Sequence, residues 1–148
     1  MSAPRYQDIE PEAIPTARLP HGVETRVVAG RVGEVEGPVT GVVTEPVYLD
    51  VRMPAGASFE HALPASHTAF LYVYEGAVRI GGEPVARGAL AVLSEGEDVA
   101  VTTDGEAARF ILVAGKPLRE PVAKYGPFVM NTEAEIRQAV ADYRSGRF

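Results

Sequence analysis

The sequence predicts an all-β protein with one C-terminal helix. Apolar segments of strand length recur roughly every ten residues, a spacing typical of a β-sandwich or β-barrel. Glycine and proline are abundant, with 15 and 12 residues among 148. Both residue types delimit short strands and turns and disfavour long helices. The length of 148 residues fits one domain of ordinary size.

Each predicted strand combines β-branched, aromatic or alternating apolar side chains with a nearby turn residue. The strongest segment is Thr68–Glu75, with the sequence TAFLYVYE. Gly76 and the stretch Gly81–Pro84 are expected to turn the chain on either side of the next strand. The predicted strands are Val23–Gly30, Val39–Val43, Val47–Met53, Thr68–Glu75, Val78–Ile80, Ala89–Leu93, Val99–Thr103 and Arg109–Ala114.

The two ends of the chain are expected to differ from this strand region. Residues 1–20 contain four prolines and predict an extended arm, because proline fits neither a helix interior nor a central strand. Near the other end, Thr132–Glu135 has the pattern of a capping box. Ile136, Val140 and Tyr143 follow at helical spacing, so this segment is predicted to be a helix.

Composition excludes several classes of function. The chain has no cysteine, which excludes disulfides, thiolate nucleophiles, zinc–cysteine sites and iron–sulfur clusters. Its net charge of −6 argues against a nucleic-acid backbone as the main partner. No segment approaches the roughly twenty apolar residues of a membrane span, and the polar N-terminus does not resemble a signal peptide. We therefore expect a cytoplasmic protein that binds neither nucleic acid nor membranes.

Two stretches resemble the conserved motifs of cupin domains. The first comprises Pro54–Gly56, His61 and the strand Phe70–Gly76, and the second is Gly88–Gly96. The resemblance implies a single cupin-type jelly-roll β-barrel, with an extended N-terminal arm and one C-terminal α-helix.

A more specific resemblance is to the pirin family. Gly115–Pro121 and Tyr125–Thr132 closely resemble the end of a pirin, and Pro4–Gln7 and Tyr48–Asp50 also resemble pirin positions. The resemblance covers residues 4–148 but only the C-terminal cupin of a two-cupin protein. It implies that the iron ligands of the family, carried by the N-terminal cupin, have no counterpart in this sequence. Quercetinase-like or transcription-cofactor roles, implied for pirins, therefore do not transfer residue by residue.

The resemblance also divides the chain. Residues 1–20 would be the arm, residues 21–124 the cupin barrel, and residues 125–148 an apolar tail segment followed by the helix. Because the match is to half of a pirin, a further hypothesis is that the sequence is part of a longer protein.

The resemblance implies where metal ligands would lie. A cupin site uses two histidines one residue apart, a glutamate on the next strand and a third histidine, which suits Fe(II), Mn(II) or Ni(II). Counted back from Gly76, the glutamate position falls on Ala69 and the histidine pair falls within Ala62–Ala65. Counted forward from the second motif, the third histidine falls on Val99. None of these positions carries a ligand.

A second count, forward from His61, places Leu63 and then His67 or Thr68 at the ligand positions. The first count is preferred, because spacing within a strand is rigid whereas a proline-containing loop can change length. We therefore expect no bound metal and no cofactor.

Four polar residues are candidates for a pocket at the barrel mouth. His61 and His67 flank a proline-containing loop and could be residual ligands or acid–base groups, since histidine titrates near neutral pH. The alternative is a loop histidine that is hydrogen-bonded to backbone. Glu75 ends a strand and is either solvated, the usual state of an acid, or an inward general base. A pocket lined by His67, Glu75 and Arg109 would favour small-molecule binding.

The apolar segment before the helix is a candidate interface. Tyr125, Pro127, Phe128 and Met130 either pack against their own barrel or contact another domain or subunit.

The first functional hypothesis is a metal-free, non-catalytic pirin-type cupin with a structural or interaction role. It would form a homodimer or pair with a separate pirin-type N-terminal cupin that carries metal. The alternative is a small-molecule-binding cupin or a degenerate quercetinase-like dioxygenase.

Overall fold

The computed structural model describes residues 6–147, which form fourteen strands, one α-helix and two short 3-10 helices at Pro11–Ala13 and Pro20–Gly22. The strands are β1 (Thr16–Arg18), β2 (Glu24–Ala29), β3 (Arg31–Val32), β4 (Val35–Glu36), β5 (Val47–Met53), β6 (Ser58–Ala62), β7 (Thr68–Glu75), β8 (Ala77–Ile80), β9 (Glu83–Ala86), β10 (Leu90–Val92), β11 (Asp98–Thr102), β12 (Ala108–Gly115), β13 (Ala123–Tyr125) and β14 (Phe128–Met130), and the helix is α1 (Glu133–Arg144).

Two antiparallel sheets enclose one apolar core. The larger sheet has the strand order β1-β2-β5-β12-β7-β10, and the smaller has the order β6-β11-β8-β9. Along β5 and β12, buried side chains alternate with exposed or half-buried ones. Successive side chains of a strand point to opposite faces, so each sheet has one inner and one outer face. Inner residues of both sheets, such as Leu49 and Phe59, belong to a single core cluster. This confirms the predicted all-β fold.

Strands with strong local signals match the sequence prediction closely. The observed bounds of β5 and β7 equal the predicted Val47–Met53 and Thr68–Glu75. The helix also begins as predicted, because the Thr132 hydroxyl accepts from the Glu135 amide and the Glu135 carboxylate accepts from the Thr132 amide. Local side-chain patterns were sufficient for these elements.

The predicted strand over Val39–Val43 is wrong. Only an isolated bridge forms there, between Ala29 and Val39. Pro38 has no amide to donate, and Gly41 adopts a φ of +69°, so extended pairing cannot continue through this segment. The chain instead crosses the end of the larger sheet as an irregular segment before β5.

Part of the predicted N-terminal arm joins the larger sheet. Thr16–Arg18 pairs with β2 as an edge strand, which the four prolines did not suggest. Pro15 and Pro20 lie just outside this strand, so the ladder lacks no amide. The first five residues of the predicted arm, which include the pirin-like Pro4 and Arg5, lie outside the described residues.

The chain separates into two compact units, one ending at Pro117 and the other beginning at Leu118. The first unit contains the larger sheet and the smaller sheet. The second contains the β13–β14 hairpin and α1. Within residues 6–147, no helix is long and apolar enough to cross a membrane.

Candidate functional site

The inner face of the smaller sheet holds one of the candidate histidines. His61 lies on β6 two residues after Phe59, so both rings point to the same face, and His61 is paired with Val99 on β11. The Phe59 and His61 rings are nearly parallel, with centroids 6.2 Å apart. Burial lowers the pKa of His61 below its ordinary value. His61 is therefore a strand residue among apolar neighbours, not the predicted loop residue.

The positions implied for metal ligands are apolar in the structure as well as in the sequence. Ala69 and Val99 are both buried in the core, and so is Leu63 from the second count. Within residues 6–147, no three histidine, aspartate or glutamate side chains lie close enough together to hold a metal ion. The interior donor set does not fit a cupin metal, and no chemical step is assigned to one. The absence of bound metal in the protein itself stays a prediction.

A cluster of charged side chains occupies part of the outer face of the larger sheet. Arg109 on β12 lies 3.7 Å from the Asp50 carboxylate and 4.0 Å from that of Glu75. Its guanidinium also lies over the Tyr74 ring, 5.2 Å from the centroid. The structure thus brings together Glu75 and Arg109, two of the four predicted pocket residues, but on the outer face of the larger sheet.

Glu75 is in the solvated state that acids usually adopt, because its side chain is 62% exposed. A register shift between Arg109 and Phe110 skips Tyr74 in the β7–β12 pairing. This bulge ends the inward alternation of β7 before Glu75 is reached.

Tyr74 and Asp50 are coupled by a short hydrogen bond. The Tyr74 hydroxyl donates to the Asp50 carboxylate over 2.5 Å. Partial burial and this bond to a carboxylate raise the pKa of Tyr74 to about 12. A phenol whose hydroxyl donates a hydrogen bond to a carboxylate is a poor acid. The pair is therefore suited to recognition and not to proton transfer.

We predict that Tyr74→Phe removes part of the alkaline pH dependence of stability. The folded-state pKa is raised, so the stabilisation is complete below about pH 10 and is lost as pH rises towards about 12. The hydrogen bond should contribute about 1 kcal/mol, because solvent screens this half-exposed pair. Urea unfolding measured across this pH range tests the prediction. Tyr72→Phe, on the same face, is the control and should retain the alkaline loss seen in the unmodified chain.

The rest of the outer face on β7, β10 and β12 is apolar. Leu90 and Val92 on the edge strand are 55% and 72% exposed. They pair directly with Tyr72 and Phe70 on β7, so their side chains lie beside each other. We call this surface the apolar strip, and it comprises Phe70, Tyr72, Leu90, Val92, Ile111 and Val113.

His67 lies elsewhere, in the turn between β6 and β7. Its amide donates to the Pro64 carbonyl, and its ring lies beside Glu45 in the irregular segment that precedes β5. It lines a cavity that includes neither Glu75 nor Arg109. Arg109 lines a separate cavity of about 180 Å³ with Arg26, Asp50 and other residues.

The candidate interface residues lie in the C-terminal unit. Tyr125 and Pro127 are exposed on the β13–β14 hairpin, whereas Phe128 and Met130 are half-buried. The Phe128 ring contacts Tyr143 of α1 edge-on, with centroids 5.9 Å apart. These four residues therefore divide between the surface of the unit and its packing against the helix. Their role in contacting another chain stays a prediction.

Neither Asp50 nor Glu45 was a candidate site residue from the sequence, although Asp50 belongs to the pirin-like stretch Tyr48–Asp50. Asp50 alternates with buried apolar residues on β5, which signals an outward position but not its partner. Glu45 lies two residues after the wrongly predicted strand Val39–Val43, and no sequence signal placed it near His67.

Comparisons with known proteins agree with this geometry. Residues 48–148 match the family model of the pirin C-terminal cupin domain. The crystal structure of a quercetin 2,3-dioxygenase from Acinetobacter baumannii superposes with a TM-score of 0.86 at 35% identity, over 97% of this chain and 50% of that one. The fold is therefore a cupin. The chain belongs to the pirin family.

Two sequence relatives support the same assignment. A Pseudomonas aeruginosa protein, whose name proposes a quercetin 2,3-dioxygenase, is 43% identical over 148 residues, or 95% of this chain and 52% of the relative. Pirin from Homo sapiens is 38% identical over 152 residues, or 99% of this chain and 52% of that protein. The chain thus spans about half the length of the curated relatives it matches.

Proposed function

We propose that this cupin is an interaction module that binds a second copy of itself through the outer face of the larger sheet. The observation that carries the proposal is the exposed apolar strip, in which Leu90 and Val92 lie beside the aromatic rings of β7. Contiguous apolar surface with a polar border is a common mark of a protein–protein interface. Aromatic and arginine side chains, both present here, often contribute most to such contacts.

The charges on this face favour a second copy as the occupant. Among the described residues, the outer face holds three carboxylates and four guanidinium groups, which are Glu24, Asp50, Glu75, Arg18, Arg26, Arg52 and Arg109. Their formal charges sum to +1, although the whole chain carries −6. A two-fold interface brings the same patch together with itself, so a nearly neutral patch avoids the repulsion that a strongly acidic surface would cause.

The length of the relatives also supports a cupin as partner. About half of each relative lies outside the match to this chain. A second cupin domain covering the sheet would fulfil the role that we assign to the second copy. No catalytic role is assigned to the interior, since Ala69 and Val99 supply no ligand or acid–base group.

Sedimentation equilibrium of the purified chain tests the proposal. We expect a dimer for the unmodified chain and at least a tenfold weaker association for Val92→Asp, because a carboxylate would be desolvated in the interface. Val43→Asp is the matched control, since Val43 is also strongly exposed but lies outside the sheet. It should leave the dimer intact. A monomer at all concentrations, or equal weakening by both substitutions, would contradict self-association through this face.

Metal analysis of the same sample tests the non-catalytic part. We expect far less than one equivalent of Fe, Mn, Ni or Zn per chain. Stoichiometric metal that is lost in His61→Ala would overturn this part while leaving the dimer test unaffected.

A second candidate function follows from the names of the relatives. A degenerate dioxygenase would use the interior around His61, where a half-buried imidazole faces the core. Oxygen uptake with quercetin distinguishes the two, because the interaction module should show none above the rate without protein. Uptake that His61→Ala abolishes would favour the dioxygenase.

A further inference from the structure

A cavity of about 420 Å³ lies at the end of the larger sheet, away from the apolar strip and the charged cluster of the outer face. Its walls come from the irregular segment before β5 and from the turn between β6 and β7. Much of the lining is apolar and is contributed by Val39, Val42, Pro46, Val47 and Pro64. A volume of this size lies within the usual range for small-molecule sites.

His67 gives this cavity a buried polar group without a partner. Its side chain is only 3% exposed. Within residues 6–147, its Nδ1 atom makes no hydrogen bond. Buried polar atoms are almost always hydrogen-bonded, so the unpaired Nδ1 indicates a missing water or ligand group. The other ring nitrogen, Nε2, is the one that lies near Glu45. The bond from the His67 amide to the Pro64 carbonyl, 2.8 Å long, holds the turn that positions the ring.

Glu45 lies opposite His67 in a conformation that is unusual for glutamate. Its φ of +46° lies in the left-handed region, and its amide donates to the Val42 carbonyl over 3.0 Å. Non-glycine residues in this region cost about 1 kcal/mol or more and are frequent at binding sites. The backbone turn directs the Glu45 carboxylate to within 4.0 Å of His67 Nε2.

The gap between the two side chains suits a bridging donor. A distance of 4.0 Å is too long for a hydrogen bond. A single donor atom placed about 2.9 Å from each could serve both. An ammonium group has several N–H donors and can bond two acceptors at once.

The charge around the cavity favours a cation. Among the residues that the structure describes, two carboxylates line it, those of Glu36 and Glu45, and no lysine or arginine does. The Glu36 carboxylate is already paired with the Arg31 guanidinium at 2.8 Å, and Arg31 is not among the residues that line the cavity. The Glu45 carboxylate is thus the group whose charge a ligand would neutralise.

We propose that this cavity binds a small organic cation, namely a protonated primary amine that carries a compact apolar group. The ammonium donates to the Glu45 carboxylate and to His67 Nε2, so that the neutral ring carries its proton on Nδ1. The apolar group packs against the valine and proline side chains. The proposal is independent of the outer face and of self-association, because none of these residues belongs to the larger sheet's apolar strip or charged cluster.

Nuclear magnetic resonance titration with benzylamine at about pH 8 tests the proposal. At that pH an alkylamine is protonated and an ordinary imidazole is neutral. The chain has three histidines, so the ring signals are readily assigned with a His67→Gln variant. We expect a saturable shift of the His67 signals with benzylamine. Benzyl alcohol, a neutral analogue of the same shape, should bind at least tenfold more weakly.

Glu45→Gln is the decisive variant, because it removes the charge without changing size or backbone preference. It should weaken benzylamine binding about tenfold. Glu106→Gln, in the exposed loop before β12, is the matched control and should bind like the unmodified chain. The proposal is overturned if no saturable shift occurs, if benzyl alcohol binds equally well, or if the two variants behave alike.

Discussion

Gly76→Ala should lower the free energy of unfolding by at least about 3 kcal/mol, the combined result of backbone strain and a steric clash. Gly76 turns the chain between β7 and β8 with a φ of +66°. An added Cβ would lie 2.2 Å from the Ala107 carbonyl oxygen, a backbone atom that cannot rotate away. Because β7 is a central strand of the larger sheet, the clash would displace β12 or distort the bulge at Tyr74.

Gly81→Ala provides the matched control for this prediction. Gly81 lies in the next turn and has a similar φ of +57°, but no atom lies within 4 Å of its added Cβ. It should therefore lose only the strain component, about 1 kcal/mol. Urea unfolding followed by circular dichroism measures both losses. Equal losses in the two variants would show that the close approach to Ala107 is relieved at little cost.

Gly76 also shows what sequence reasoning could supply. The strand Thr68–Glu75 followed by glycine predicted both the strand bounds and the turn, and both are confirmed. Counting back from Gly76 put Ala69 at the glutamate position of a cupin metal site, and Ala69 is buried in the core. These features depend on the two-residue periodicity of one strand, which a single sequence displays directly.

Features that depend on contacts between distant segments could not be predicted in this way. Nothing local indicated that Asp50, 24 residues before Tyr74, would accept a hydrogen bond from its hydroxyl. The meeting of Glu45 and His67 was equally hidden, since it depends on how an irregular segment crosses the sheet end. His61 was assigned to a loop because β6 contains few strand-forming residues. Its pairing with Val99 on β11 makes it a strand residue.

Phe59→Ala is the second substitution with a large expected effect, and it connects the core to the titration of His61. Phe59 is almost completely buried and packs edge-on against Phe110, with centroids 5.7 Å apart. Truncating a core phenylalanine to alanine lowers stability by about 3–5 kcal/mol. The truncation also removes the ring that lies parallel to His61, so water can reach the imidazole.

The Phe59→Ala substitution should also change the pH dependence of stability. Burial lowers the folded-state pKa of His61, so the unfolded chain binds a proton more readily than the folded chain. The part of the stability that depends on neutral His61 is therefore complete above the unfolded pKa of about 6.5. It is lost as pH falls towards the lower folded-state pKa. In Phe59→Ala the pKa of His61 should rise towards its ordinary value, and the acid-side loss of stability should become smaller.

Leu49→Ala separates the two effects, because Leu49 is fully buried on β5 in the larger sheet and should lose about 2–5 kcal/mol as well. Its truncation should leave the His61 titration unchanged. Histidine ring resonances followed against pH measure the pKa directly, and Phe59→Leu extends the test if the alanine variant unfolds. If Leu49→Ala raises the pKa of His61 as much as Phe59→Ala does, general loosening of the core controls this histidine. If only the Phe59 variants raise the pKa of His61, the Phe59 ring keeps water away from the imidazole. His61 is then part of the packed core.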